Sequence, residues 1–335
     1  MTLRTIFLGS VAALMALPAV ADEVNIYTTR QPELIQPVMD AFTKETGIEV
    51  NMAFVDGGIV ERLKAEGARS PADLVMTVDI ANLKQIVDAN VIQPVDSDVL
   101  EANIPAALRD SDDLWFGLTA RGRVVYASKD RVADGEVVTY EGLADDKWED
   151  RICTRSGTHN YNLALLSAVI AHHGEEAAKE WAAGVKDNLA RKPQGNDRAQ
   201  VKAIWAGECD ISLGNTYYMG AMLNDDEQKE WADSVRIIFP VFEDGGTHLN
   251  VSGVALTKAA PNKDAAIQLM EYLSSPEAQA IYAEVNYEYP VLMSAEVSDM
   301  VASWGTFLPD DIPLTDVAEN RGTALRIMEE VDFDG

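Results

Sequence analysis

From Val24 onward, short apolar runs alternate with stretches of helical period, and this alternation limits the fold more than any other feature of the chain. Val24 to Tyr27 reads as a strand. Leu34, Ile35, Val38, Met39 and Phe42 keep helical spacing, with Thr28 and Thr29 as candidate N-caps and Gly47 as the stop. Ile48 to Val55 alternates as a second strand. Asp56-Gly57-Gly58 turns into a helix carrying Val60, Leu63 and Lys64, and Ala72 to Thr77 is a buried strand. Asp79 then caps a helix through Asn90. Repetition of this kind calls for a parallel sheet covered by helices.

The pattern pauses after Arg109. Leu114 to Leu118 and Arg123 to Ser128 read as two extended segments leaving the first sheet. A second α/β stretch follows, with a strand at Arg151 to Arg155, helices at Tyr161 to His173, Glu175 to Asn188 and Arg198 to Ala206, a strand at Cys209 to Leu213 and a helix from Tyr217. Val235 to Val241 is a β-rich run able to cross back. Val251 to Leu256 is a further strand, Lys263 to Leu273 a helix, and the tail from Glu296 is helical in patches. The expected fold class is α/β with two lobes and two hinge crossings. One lobe would hold residues 22–120 and 241–297, the other 121–240 and 298–335. A ligand in such a fold lies in the cleft, near strand carboxyl ends and helix amino ends. Those places are Thr28 to Gln31, Asp56 to Gly58, Thr77 to Asp79, Ala120 to Arg123, Arg155 to Tyr161 and Asn215 to Tyr218.

Residues 1–21 read as a secretory signal peptide. Arg4 supplies the positive start, Ile6 to Val20 the apolar run, and Ala19-Val20-Ala21 the cleavage site before Asp22. The run is too short for a membrane span, which needs ~20 apolar residues. The remainder is expected in a bacterial periplasm. An oxidising compartment favours pairing of Cys153 with Cys209, the two cysteines of the chain. The formal charge is −28, from 55 acidic and 27 basic side chains, which argues against a nucleic-acid partner. Neither Ser-His-Asp spacing nor G-x-S-x-G points to a hydrolase.

The cleft positions are rich in tyrosine and arginine. Tyr217 and Tyr218 follow a strand and the loop Gly214-Asn215-Thr216, and Tyr161 stands in the same relation to Ser156-Gly157-Thr158. A phenolate is a hard anionic donor that ionises at neutral pH only beside a strong positive charge, and Fe(III) is such a charge. Adjacent helical residues diverge by ~100°, so Tyr217 and Tyr218 can share one ion only where a helix has barely begun. Three phenolates neutralise Fe(III). A bidentate carbonate would add two oxygens, and Arg30 and Arg121 would balance its charge. Tyrosines also stack in clefts for sugars, polyamines or peptides, so on these residues alone both readings stand. Arg123 alternates with Arg121 as on a strand face. Tyr27 fits the cleft or the core, and His159 fits a ligand or a helix cap.

The same segments carry a resemblance. The chain resembles the ferric-ion-binding receptors of ABC-type iron uptake, sometimes called bacterial transferrins. The matching stretches include Val24-Asn25-Ile26-Tyr27-Thr28-Thr29-Arg30-Gln31-Pro32, Ser70-Pro71-Ala72-Asp73, Trp115-Phe116-Gly117-Leu118, Gly214-Asn215-Thr216-Tyr217-Tyr218 and Glu288-Tyr289-Pro290. The resemblance implies a two-lobed periplasmic binding fold of the type II kind. It also implies iron ligands at Tyr161, Tyr217 and Tyr218, and a synergistic carbonate held by Arg30 and Arg121. Tyr27, Arg123 and His159 are additional candidates. Some relatives carry His-Tyr after the first-strand arginine. Here those positions are Gln31 and Pro32, which implies the branch whose second lobe supplies the tyrosines and leaves the anion, Tyr27 or water to complete the sphere. The implied protein is a monomeric receptor, not an enzyme, that delivers iron to an inner-membrane permease. A receptor of the same fold for a polyamine, sulfate or organic anion is the alternative.

Overall fold

The computed structural model describes residues 22–31, 34–55, 57–292 and 294–335. The proposed signal peptide, Pro32 and Asp56 lie outside the described residues. Among the described residues ten strands follow in chain order: β1 (Glu23–Thr28), β2 (Glu49–Phe54), β3 (Leu74–Thr77), β4 (Ile92–Gln93), β5 (Phe116–Ser128), β6 (Ile152–Cys153), β7 (Ile211–Asn215), β8 (Val235–Ile238), β9 (Leu249–Thr257) and β10 (Tyr289–Pro290). The main order is β2-β1-β3-β9-β5-β7-β6, with β8 and β10 on β5 and β4 on β9. The expected α/β architecture is present, and β1 is parallel to both β2 and β3. The sheet is mixed rather than parallel throughout, because β9 inserts antiparallel between β3 and β5.

The helix Gln36–Thr46 ends where Gly47 takes a left-handed conformation at φ 77°, as glycine does at little cost. Thr28 and Thr29 do not cap it. Thr28 stays in β1, where its hydroxyl accepts from the Arg30 amide. Asp79 does cap its helix, Ile80–Asp88, accepting from the Ala81 amide at 2.8 Å. The two expected extended segments are one strand, β5, in which all thirteen residues are buried. Its first half pairs with β9, up to Gly122 against Leu249. Its second half pairs with β7, from Arg123 against Asn215.

Alternation along β5 decides what each side of the second half meets. Val125 and Ala127 pack with Leu163 and Leu166 of the helical segment Asn160–Asp187. Val124 and Tyr126 pack with Val201, Met219 and Met222 from the helices Asp197–Trp205 and Tyr217–Leu223. Gly214 leaves room for the Tyr126 ring, which a Cβ there would approach to 2.1 Å. A separate apolar core covers β1, β3 and β9 and includes Phe42, Met39, Leu74 and Phe116. Gly174, at φ 80°, divides Asn160–Asp187 into two helices, so His172 and His173 close the first.

Cys153 and Cys209 form a disulfide with their Cα atoms 5.9 Å apart. It closes a loop of 56 residues beside β6 and β7, worth ~4 kcal/mol in the chain-entropy view. Helix Pro276–Asn286 lies beyond the elements expected from periodicity, although Ser275 caps it and Pro276 opens it. No helix among the described residues is long and apolar enough to cross a membrane.

Candidate metal centre

Two helices that pack against the second half of β5 from its two sides bring three tyrosines together. Tyr161 is the second residue of Asn160–Asp187, and Tyr217 and Tyr218 open Tyr217–Leu223 directly after β7 and Thr216. Because that helix begins at Tyr217, the two side chains need not diverge. Their ring centroids are 4.3 Å apart, and the Tyr161 and Tyr217 hydroxyl oxygens lie 3.0 Å apart. Burial pushes the Tyr217 hydroxyl well above the ordinary tyrosine value, and Tyr161 and Tyr218 add to the shift. Burial, then Tyr161 and Asp197, push Tyr218 up to about 12. Without a strong cation these two phenols remain protonated at neutral pH.

Arginines face the cluster from β5. Arg121 and Arg123 are two residues apart on one strand and therefore share a face. A small cavity of about 10 Å³, the size of one water, is lined by both together with Tyr161, Asn215, His248 and Asn250. Arg121 donates to the Val78 carbonyl and lies 3.9 Å from Asp79. Arg123 donates to Asp197 at 3.0 Å, Asn162 at 2.6 Å and Asn215 at 3.2 Å. Asp197 is fully buried and also accepts from Arg155, whose guanidinium lies 5.0 Å from the centre of the Tyr161 ring. Arg30 is buried and gives its fork to Glu288 at 2.5 and 3.1 Å. Both Arg30 and Arg121 donate to Ser252, at 2.8 and 3.4 Å.

Two further candidates have other partners. Tyr27 donates to Glu66 at 2.9 Å beneath the Arg62 guanidinium, and the structure does not bring it to the other tyrosines. His159 caps the helix, its Nδ1 accepting the Tyr161 amide at 3.2 Å, and burial together with Arg155 pushes it down to about 4. Its ring meets the Tyr161 ring edge-on at 4.6 Å, so it orients that tyrosine. Sequence reasoning missed Asp197 and Ser252. Asn196-Asp197 looks like any helix start, and Ser252 sits inside an apolar strand run.

The family model for bacterial extracellular solute-binding proteins matches residues 26–280. The Synechocystis iron uptake protein A1 is 43% identical over 321 residues, covering 94% of this chain and 89% of its own. The structure of Mannheimia haemolytica ferric iron-binding protein A in an open conformation is similar with a TM-score of 0.89 and 52% identity. It covers 94% of this chain and 100% of that one. A Trichodesmium protein solved in complex with iron and citrate gives a TM-score of 0.88 at 40% identity, covering 93% and 99%.

Proposed function

The chain belongs to the family of bacterial extracellular solute-binding proteins, and from that premise we propose that it is the ferric-iron receptor of an ABC-type uptake system. The observation that carries the reading is the meeting of Tyr161, Tyr217 and Tyr218 beneath buried arginines. As neutral phenols Tyr161 and Tyr217 share one hydroxyl hydrogen bond. Each becomes a strong ligand once Fe(III) displaces its proton, and three phenolates cancel the charge of the ion. Three oxygens leave room in an octahedral sphere for a bidentate anion. Carbonate fits that role, with Arg121 balancing its charge and Arg30 behind it through Ser252. Citrate is the competing anion, since a similar protein binds iron with it.

In this reading the chain is exported to the periplasm behind residues 1–21. Residues 22–120 and 241–297 form one lobe, and 121–240 and 298–335 the other. The two rotate about β5 and the approach to β9, and hinge closure of this kind is among the known motions of periplasmic binding proteins. The closed, loaded monomer docks on an inner-membrane permease and carries out no catalytic step. Iron leaves on lobe opening, protonation of the phenolates or reduction to Fe(II).

Phenolate bound to Fe(III) has a visible charge-transfer colour, so titrating the protein with ferric citrate or ferric ion plus bicarbonate tests the reading directly. Tyr218→Phe should bleach or shift the band and weaken binding. A protein that stays colourless with Fe(III) would sink the assignment, and an unchanged Tyr218→Phe spectrum would remove Tyr218 from the ligand set.

A further inference from the structure

At the far end of the helix that Tyr161 opens, a second group of side chains has the donor set and spacing of a metal site. His173 closes that helix twelve residues on, ~18 Å away at 1.5 Å per residue. Glu141, on the short turn Glu141–Ala144, and Asp244, in the loop leading to β9, meet it there. One donor atom from each of Glu141, His173 and Asp244 lies within 4.8 Å of the other two.

These side chains are held from behind. His172 Nδ1 is 2.7 Å from an Asp244 carboxylate oxygen, and its Nε2 is 3.0 Å from Asp310. The His172 ring stacks on Phe242 with centroids 4.0 Å apart and is 3% exposed. Carboxylates and imidazoles that orient the groups touching an ion are a regular part of metal sites. Glu141 Oε1 accepts the Glu243 amide and lies 2.6 Å from His173 Nε2, while its Oε2 is buried without a partner among the described residues. A carboxylate oxygen removed from water and left unpaired is costly, and a cation removes that cost. The loop is tied down by hydrogen bonds of its backbone, the Gly246 amide donating to Asp310 at 3.2 Å and the Phe242 amide to the Gly246 carbonyl at 3.0 Å. An adjoining cavity of about 190 Å³ is lined by Glu136, Glu141, Asp145 and Glu243; Arg151 pairs with Glu136 and Lys147 with Asp145, which leaves Glu141 and Glu243 as the acidic excess.

We propose that Glu141, His173 and Asp244 bind a divalent transition-metal ion of the zinc(II) class, independently of the tyrosine cluster. One imidazole nitrogen and two carboxylate oxygens suit a borderline cation, whereas calcium and magnesium prefer all-oxygen sets. Water fills the remaining positions. Donors ~2.1 Å from an ion at tetrahedral angles stand ~3.4 Å apart, so the His173–Glu141 contact opens by under ~1 Å as His173 takes its Nδ1–H tautomer and Nε2 turns to the ion. The bound ion joins the helix end to the loop before β9 and, through His172, to Asp310 in the tail.

Zinc chloride titrated calorimetrically into the full, iron-free chain should saturate at one equivalent. His173→Gln and Asp244→Asn should abolish saturation, and His172→Gln should weaken it about 10–100-fold. Tyr218→Phe should leave it unchanged. Cobalt(II) at the same site should give a visible ligand-field band that survives Tyr218→Phe and disappears in His173→Gln. Circular dichroism checks that each variant is folded. Absence of saturable binding overturns the proposal, as does binding that both His173→Gln and Asp244→Asn leave intact. No residue is shared with the tyrosine site, so either reading can fail without the other.

Discussion

Asp197 shows how much of the site's electrostatics rests on one side chain. It is fully buried, accepts from Arg123 and Arg155 at 3.0 Å each, and takes the Asn215 amide at 3.1 Å. Asp197→Asn keeps the shape and removes the charge, leaving two guanidinium groups side by side out of water. Breaking a buried pair in this way costs about 3–5 kcal/mol, so urea unfolding should show a loss of that size. A loss below about 1 kcal/mol would mean that the arginines are compensated elsewhere. None of this is visible in the sequence, where Asp197 is one of 55 acids and follows Asn196 as helix-start residues commonly do. Tyr161, Tyr217 and Tyr218 were legible because each follows a strand and a short polar loop. Arg30 stood out in the same way, but its partner Glu288 lies 258 residues further along, and no local pattern links them. Tyr27 has the right residue type and a strand-end position. Only the tertiary contact with Glu66 shows where its hydroxyl goes.

At the level of elements, periodicity located most helices and the β1 to β3 series because each buries one face. It divided β5 in two, ending one segment at Leu118 and starting the next at Arg123, because Arg121-Gly122 looks like a break. Charged residues seldom lie inside a buried strand, and here they do so only because Asp79, Asp197, Asn162 and Asn215 surround them. Where β5 changes partner from β9 to β7, it is held by another buried group. The Tyr140 hydroxyl donates to the Arg123 carbonyl at 2.5 Å and accepts the His248 amide at 3.1 Å, bridging β5 and the segment entering β9. Tyr140→Phe leaves both backbone groups without that partner and should destabilise by about 1–3 kcal/mol. If the crossings act as hinges, the same variant should increase the radius of gyration of the iron-free protein in small-angle scattering. An unchanged radius would place the hinge elsewhere.

For the molecule as a whole, the acidic excess lies mainly outside the tyrosine cluster, and pH acts on cargo and fold through different groups. His248 is buried and held down to about 3, by burial first and then by Arg123 and Arg121, and His159 is held to about 4. Both bind protons more readily when unfolded, near the ordinary histidine value of ~6.5. Their contribution to stability is therefore complete above about pH 6.5 and is lost as the pH falls toward 3–4. Between pH 7 and 8 this effect is flat, and the pH dependence of iron binding reports the ligands. In the unloaded state burial holds Tyr217 and Tyr218 protonated, so each phenol that becomes a ligand releases one proton. Three phenol ligands give a slope of about three in log K against pH, measured by chelator competition and corrected for the chelator's own protonation. Bicarbonate bound as carbonate adds about one more proton, whereas citrate, already deprotonated in this range, adds none. A slope near four with bicarbonate that drops to three with citrate would assign both the phenols and the anion. A slope near zero would mean that iron binds without displacing the tyrosine protons, and the tyrosine site would have to be abandoned.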